Sequence, residues 1–255
     1  NDAVREALEA ACGKASEVVY VRGGEQRRTT LTPVWDANAG QWRAGMWVRD
    51  SSAGVGTLTF VDAERGVFAG LGHPISDGDT GESIALRSGE IVPCQITGCS
   101  AGTVGSPGEL KGKFLSSHAI GSIRINGENG VYGTTRTDFA GQMLEVAFAQ
   151  EVETGDAEIW STVSGQSPRA YRVRIERVSD ADPRRNMVLR VVDKTLLSQT
   201  GGIVQGMSGS PIVQNGRLVG AVTHVLVNDP TRGYGIFAQT MLEQAETVVK
   251  AEEPA

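Results

Sequence analysis

The sequence has few cysteines, few aromatic residues and no long apolar run. Only 3 of its 255 residues are cysteine and 5% are aromatic. Cys12, Cys94 and Cys99 form neither a disulfide framework nor the paired spacing of a zinc site. Cys94 and Cys99 form either a short bridge or two buried thiols. No run reaches the roughly 18 apolar residues of a membrane-spanning helix, and the first 30 residues lack a signal-peptide pattern.

An excess of basic residues is also missing. Lys and Arg number 24 against 30 Asp and Glu, for a net charge of −6. The adjacent arginines Arg27-Arg28 and Arg184-Arg185 are isolated pairs and not a basic stripe, so a surface that follows nucleic-acid phosphates is disfavoured. The chain begins at Asn1 and not at Met, so we expect it to be a processed or truncated part of a longer protein.

Glycine, in contrast, is abundant. The 33 glycines have no Gly-X-Y period, and 40% of residues are hydrophobic, which excludes a collagen-like or disordered chain. Short β-branched segments alternate with turns such as Asn126-Gly127 and Asn215-Gly216, and no strand–helix alternation occurs. The pattern predicts an all-β barrel or sandwich pair. The predicted strands are 18–22, 45–49, 56–61, 90–97, 120–125, 144–148, 170–177, 187–192, 211–214 and 217–222.

Helical spacing occurs near both ends of the chain. Val4, Leu8, Ala11 and Cys12 predict a short N-terminal helix, and apolar positions from Phe237 to Val249 predict a C-terminal helix. The N-terminal helix, with the strands that follow it up to residue 34, is too small to close a core. We therefore expect residues 1–34 to be separate from residues 35–255.

The segment with the clearest chemistry is the glycine-rich run 201–213. Ser208 lies in a Gly-x-Ser-Gly turn that leads into an apolar strand, as an acyl-transfer nucleophile requires. The backbone N–H groups of Gly206 and Ser208 are the predicted oxyanion hole. Ser210 is the nearest competitor, but it precedes Pro211 at a strand start and is interpreted as structural.

A serine nucleophile needs a base, and the chain has 3 histidines. His73 follows an apolar strand and a Gly-x-Gly turn and precedes Pro74, so it is the predicted general base. His118 lies in a polar turn and is expected to be solvated. His224, with Thr223, follows the nucleophile on the next strand, and both are predicted to line the substrate groove.

The third member of a triad is a carboxylate that orients the imidazole. Asp193 closes a predicted strand and is the first carboxylate upstream of Ser208. The spacing supports two roles for it equally, the orienting acid or the cap of the following turn.

Two other acidic motifs are weaker candidates for a functional site. Asp79-Thr80-Gly81 matches the aspartic-protease triplet, but no second triplet supplies the other carboxylate. Asp77, Asp79 and Glu82 lack a full set of calcium ligands. No metal or cofactor is predicted.

Five strings resemble the stage IV sporulation protein B peptidase family. The resemblance covers about residues 40 to 245, and the strings are WVRDS at 47–51, GLGHPI at 70–75, PGELKG at 107–112, TGGIVQGMSGSP at 200–211 and GAVTHV at 220–225. It implies a chymotrypsin-like double β-barrel serine endopeptidase, with His73, Asp193 and Ser208 as base, orienting acid and nucleophile. It also implies that residues 1–34 are the remnant of a PDZ domain.

The resemblance implies a biological role as well. Proteases of this family are exported into the space between the forespore membranes, where they cleave a membrane-anchored regulator and so trigger sigma-K activation. The expected partner is therefore a protein or peptide substrate, with self-cleavage as a further possibility. The rival hypothesis is a catalytically silent peptide-binding scaffold on a protease fold.

Overall fold

The computed structural model describes residues 2–46, 48, 51–78, 80–116, 118–139 and 141–252. The chain divides into two compact units, Asn1–Ala53 and Gly54–Ala255. The predicted boundary was at residue 34, and the PDZ origin of residues 1–34 stays a prediction.

The first unit is a helix with two β-hairpins. Helix α1 (Asp2–Ala11) precedes strands β1 (Ser16–Arg22), β2 (Glu25–Leu31), β3 (Val34–Asp36) and β4 (Gln41–Arg43). The strands pair as β1–β2 and β3–β4. The Glu9 carboxylate of α1 accepts from the Trp42 amide at 3.0 Å. Among the described residues of this unit only Pro33 is buried, so the unit has almost no core.

The second unit begins with an open antiparallel sheet. Its strands are β5 (Leu58–Asp62), β6 (Val67–Gly70), β7 (Gly89–Ile91), β10 (Gly121–Gly127) and β11 (Gly130–Thr134), in the order β5-β6-β11-β10-β7. A separate hairpin pairs β8 (Cys94–Ser100) with β9 (Glu109–Phe114). Strand β6 is buried along its whole length, which places the turn after it at the edge of the core.

The other half of this unit is a closed six-stranded barrel. Its strands are β12 (Gly155–Ser161), β13 (Arg169–Val178), β14 (Met187–Val191), β15 (Pro211–Gln214), β16 (Arg217–Leu226) and β17 (Asp229–Phe237). On β13, Tyr171, Val173 and Ile175 alternate inward with exposed arginines, as a half-buried strand requires.

Three short helical segments complete the second unit. A 3₁₀ turn covers Ala149–Glu151, α2 (Lys194–Thr200) follows β14, and α3 (Ala238–Glu252) follows β17. The apolar face of α3, with Met241, Ala245 and Val248, packs on side chains of both the open sheet and the barrel. This helix therefore joins the two halves that flank the site described below.

The prediction of a mostly β chain with a C-terminal helix is confirmed, with one closed barrel and one open sheet. Segment 144–148 was predicted as a strand, but Val146 forms only an isolated bridge with Leu218. The predicted strand 90–97 is divided between β7 and β8 around Pro93, whose ring nitrogen carries no hydrogen to donate. Part of the predicted strand 45–49 lies outside the described residues.

Candidate active site

The Ser208 loop joins α2 to β15 and depends on glycine for its shape. Gly201, Gly202, Gly206 and Gly209 all have positive φ, at 73°, 144°, 95° and 90°. Such angles cost an L-residue free energy but cost glycine little. The loop can therefore turn sharply enough to place Ser208 between the two halves of the unit.

Gly209 holds the loop against the open sheet. A Cβ added there would overlap the Thr57 carbonyl oxygen and lie 2.6 Å from the Leu71 nitrogen. The backbone of this segment is fixed on both sides, because Thr57 N donates to Ser208 O at 3.0 Å and Gly209 N donates to Val222 O at 2.8 Å.

The Ser208 hydroxyl donates to the carbonyl oxygen of Thr223 at 2.7 Å. In the described part of the chain, the N–H groups of Gly206 and Ser208 donate to no acceptor. Met207 N, between them, donates to Val204 O, and Ser210 N donates to Met207 O. Two uncommitted donors therefore lie next to a half-buried serine, and their role as an oxyanion hole stays a prediction.

A strained turn at the end of β6 presents His73. Leu71 has a φ of 66° and Gly72 a φ of 69°, and a left-handed leucine is unusual. The chain beyond the turn is fixed by Asn126, whose side chain accepts from Ile75 N at 2.7 Å and donates to Ile75 O at 3.0 Å. His73 therefore lies in a short segment anchored at both ends.

The ring of His73 has a defined tautomer. Its Nδ1 lies 2.8 Å from the carbonyl oxygen of Pro74. A carbonyl only accepts, so Nδ1 carries the proton and Nε2 of the neutral ring is left as the acceptor. Burial lowers the pKa of His73, although the bond to Pro74 acts in the opposite direction.

The imidazole of His224 lies beside that of His73, with ring centroids 4.7 Å apart and an angle of 38° between the planes. Burial against this face is the largest cause that lowers the pKa of His224 to about 4, and the guanidinium groups of Arg185 and Arg184 and the protonated form of His73 act in the same direction. His224 as a whole is exposed, but because the pKa values of both histidines are lowered, both imidazoles are neutral near pH 7.

The loop that bears Ser208 and the turn that bears His73 are in contact through residues next to these two. Gly209 packs against Leu71, and a Cβ at Gly72 would lie 2.8 Å from Thr223 Cγ2. Among the hydrogen bonds of the described residues, however, none joins the Ser208 hydroxyl to His73.

Asp193 caps helix α2. Its Oδ1 accepts from Thr195 N at 2.9 Å and Leu196 N at 3.1 Å, and its Oδ2 accepts from Arg172 N at 3.4 Å. The structure thus gives Asp193 the capping role that the sequence left open, and within the described residues it makes no hydrogen bond to His73. These backbone bonds lower its pKa against the opposing effect of burial. Its role as an orienting acid stays a prediction.

Thr223 and His224, the predicted groove residues, occupy an irregular part of β16. The pairing with β17 passes from Val222 opposite Gly235 to Val225 opposite Gly233, so the regular ladder is interrupted between them. Thr223 is 2% exposed, and its hydroxyl has no partner among the described residues. Thr223 O thus accepts from the Ser208 hydroxyl, and the role of Thr223 and His224 as a substrate groove stays a prediction.

Charged residues that line a cavity beside His73 were not predicted from the sequence. A cavity of about 200 Å³ is lined by His73, Pro74, Glu128, Arg184, Arg185 and His224. Glu128 belongs to the turn between β10 and β11, and the arginines belong to the turn between β13 and β14. The adjacent arginines were the only visible signal, and alone they resembled an ordinary solvated pair.

The remaining candidates are resolved more simply. Cys12, Cys94 and Cys99 are free thiols, and Ser210 is fully buried. Within the described residues no cluster of His, Cys, Asp or Glu is arranged to hold a metal ion, and no helix is long and apolar enough to span a membrane. Asp79, from the acidic motifs, lies outside the described residues.

One family profile matches most of the chain. The profile of the SpoIVB peptidase S55 family matches residues 40–242. No curated protein sequence matches the chain.

Several solved structures are similar at low identity. An inactive serine-to-alanine mutant of Rv3671c from M. tuberculosis H37Rv is 17% identical over 55% of this chain and 75% of its own, with a TM-score of 0.36. A mutant of human heparin binding protein (CAP37) is 12% identical over 74% and 76%, with a TM-score of 0.38. The thermostable serine protease AL20 from an extremophilic microorganism is 12% identical over 93% and 99%, with a TM-score of 0.39.

Proposed function

The chain belongs to the SpoIVB peptidase S55 family and is a serine peptidase, and from this premise we propose that Ser208 is its nucleophile and His73 its general base. The observation that carries the proposal is the Ser208 loop. It places a serine hydroxyl, two uncommitted amide N–H groups and the turn that bears His73 against one another.

Catalysis in this site begins with a rotation of the Ser208 hydroxyl. Its proton points to the Thr223 carbonyl, which cannot remove it, so the hydroxyl turns toward His73 Nε2. An extended substrate that donates a backbone N–H to Thr223 O takes over this acceptor and favours the rotation. Hydrogen bonds in unliganded active sites often shorten or realign only once substrate is bound.

The covalent steps follow from these groups. Ser208 Oγ attacks the peptide carbonyl carbon as His73 takes its proton, and the N–H groups of Gly206 and Ser208 stabilise the charge on the carbonyl oxygen. His73 then gives its proton to the leaving amine, and the peptide C–N bond breaks. Water attacks the resulting acyl-enzyme in the same way and regenerates Ser208.

The orientation of His73 has two candidate sources. Pro74 O accepts the Nδ1 proton in this structure, and that bond selects the tautomer that a general base needs. Asp193 is the acid that the family resemblance indicates, and it stays a candidate on that ground.

The biological role is proposed from the family. We propose that the protein is an exported sporulation protease acting between the forespore membranes. There it would cleave a membrane-anchored regulator in the pathway to sigma-K activation, and cleave itself as well. Incubation of purified protein with a reconstituted candidate regulator, followed by mass spectrometry of both chains, tests these two substrates together.

The catalytic proposal is tested with a fluorophosphonate probe, which reacts with activated serine nucleophiles. We expect labelling at Ser208 in the parent and none in Ser208→Ala. Ser210→Ala is a matched control, because Ser210 is buried and its hydroxyl has no partner among the described residues. Labelling that survives in Ser208→Ala, or a folded parent that remains unlabelled, contradicts the proposal.

A further inference from the structure

The cavity beside His73 contains more positive than negative charge. Of its six lining residues, Arg184 and Arg185 are cationic, Glu128 is anionic, and both histidines are neutral near pH 7 because their pKa values are lowered. The surrounding protein is acidic overall, with a net charge of −6. A positive cavity next to the general base is therefore a local feature that the composition does not explain.

Arg184 and Arg185 are held differently. Arg184 Nη1 pairs with Glu128 Oε2 at 3.0 Å, with both side chains more than half exposed. Exposed pairs of this kind contribute only about 0–1 kcal/mol, so an incoming carboxylate can displace Glu128 at little cost. Arg185 lies over the Tyr234 ring at 5.0 Å, and in the described chain it has no carboxylate partner.

The turn that carries the arginines has a fixed base. Ser179 N donates to Asn186 O at 2.8 Å, and Arg185 N donates to Asp182 O at 3.1 Å. Asn186 is buried, and its side-chain oxygen accepts from Phe237 N at 3.1 Å. Both arginines thus belong to an anchored hairpin, and they line the cavity together with His73 and His224.

We propose that this cavity is a specificity subsite that binds the carboxylate of an Asp or Glu side chain of the substrate close to the scissile bond. A guanidinium matches a carboxylate with two parallel N–H donors, and the stack on Tyr234 holds the Arg185 group in place for it. The inference rests on the proposed function, since it assigns the substrate class of the same site.

The test begins with the parent protein. Internally quenched peptides randomised around the cleavage site identify a sequence that is cut, and mass spectrometry locates the bond. Three amidated peptides with Glu, Gln or Lys at the selected position are then compared by kcat/KM. We expect the Glu peptide to exceed the Gln peptide by about 10-fold to 100-fold, as a hydrogen-bonded charge implies.

Variants of the residues that line the cavity test whether the cavity causes the preference for Glu over Gln. Arg185→Gln should bring the Glu-to-Gln ratio close to one, and Arg185→Glu should favour the Lys peptide. Glu128→Gln should raise the ratio, because it removes the carboxylate that lines the cavity and leaves Arg184 only its longer pair with Asp182, at 3.9 Å. Such a gain cannot come from misfolding. Arg177→Gln is the matched control, an exposed arginine on β13 that does not line the cavity, and it should keep the parental ratio.

The outcomes separate this inference from the proposed function. A parent that cleaves peptides with no preference for Glu, or whose preference survives in Arg185→Gln, overturns the subsite and leaves the peptidase intact. A preference that requires a free C-terminal carboxylate in place of an acidic side chain also overturns it. A parent that neither cuts peptides nor reacts with the fluorophosphonate probe contradicts the proposed function itself.

Discussion

The hydroxyl of Ser208 is bonded to the main-chain oxygen of Thr223, at 2.7 Å, and not to His73. The carbonyl accepts this hydrogen bond but is far too weak a base to take the proton. The hydroxyl of the proposed nucleophile is thus in a resting orientation. Because the acceptor is a backbone carbonyl, replacing the side chain at position 223 keeps the acceptor of the Ser208 hydroxyl. A substitution there therefore tests the role of the Thr223 hydroxyl alone.

Replacing Thr223 by Val is expected to stabilise the protein. The Thr223 hydroxyl is buried without a partner among the described residues, and such a group costs about 1–3 kcal/mol. Valine keeps the shape and the methyl group that faces Gly72, so we expect a gain of up to about 1 kcal/mol. Urea unfolding measures it, with Thr223→Ser as the comparison that keeps the hydroxyl. A loss of stability in the valine variant would reveal a partner for the hydroxyl.

Replacing Gly209 by Ala is expected to be severely destabilising. The residue has a φ of 90°, and an added Cβ would overlap the Thr57 carbonyl and crowd Leu71 N. We expect a loss of at least about 3 kcal/mol, since backbone strain and backbone overlap add together. Gly216→Ala is the matched control, with a φ of 76° but open space around it. Equal losses in the two variants would show that packing at Gly209 is unimportant.

These residues show which parts of the site the sequence can predict. Ser208 lies between Gly206 and Gly209, and His73 follows Gly72. The backbone conformations that glycine permits are a local property that can be predicted from the sequence. The cavity charges are different, because Glu128 and Arg184 come from two turns that meet only after folding. Each turn alone looks like a solvated surface loop, so no local pattern predicts their pairing.

The same contrast holds for the fold. Apolar periodicity in the sequence predicts helix α3 and most of the barrel strands. Strands β12 and β17 were missed because charged residues or glycines interrupt their apolar positions, and closure of the barrel supplies their pairing. Helix α2 was also missed, and its cap at Asp193 was the one local signal for it.

Stability should fall as the pH falls from about 6.5 toward 4, in part because of His224. Its pKa is lowered from 6.5 to about 4 in the folded protein, so in this range the unfolded chain binds more protons and unfolding is favoured. Below about pH 4 the destabilisation that His224 causes reaches its full size, and above about pH 6.5 it is absent. His224→Phe keeps a ring beside His73 but cannot be protonated. Unfolding free energies at pH 7 and 4.5 should therefore differ less in this variant than in the parent.

His118→Gln provides the control for that comparison. His118 lies in an exposed turn with Ser116 and does not line the cavity. It should retain the parental difference between the two pH values. If His224→Phe also retains that difference, protonation of His224 is not coupled to unfolding.

Replacing Asp193 by Asn separates the two roles open to this residue. Asparagine caps helices about as well as aspartate, so the bonds to Thr195 N and Leu196 N should persist and the unfolding free energy should change by less than about 1 kcal/mol. Since Pro74 O already accepts from His73 Nδ1, we expect the variant to keep kcat/KM within about tenfold of the parent. Asp193→Ala, which removes the cap, should lose about 0.5–2 kcal/mol of stability. A fall of about 10⁴ in kcat for the Asn variant at unchanged stability would instead assign Asp193 as the orienting acid, because that loss is typical when a triad carboxylate becomes an amide.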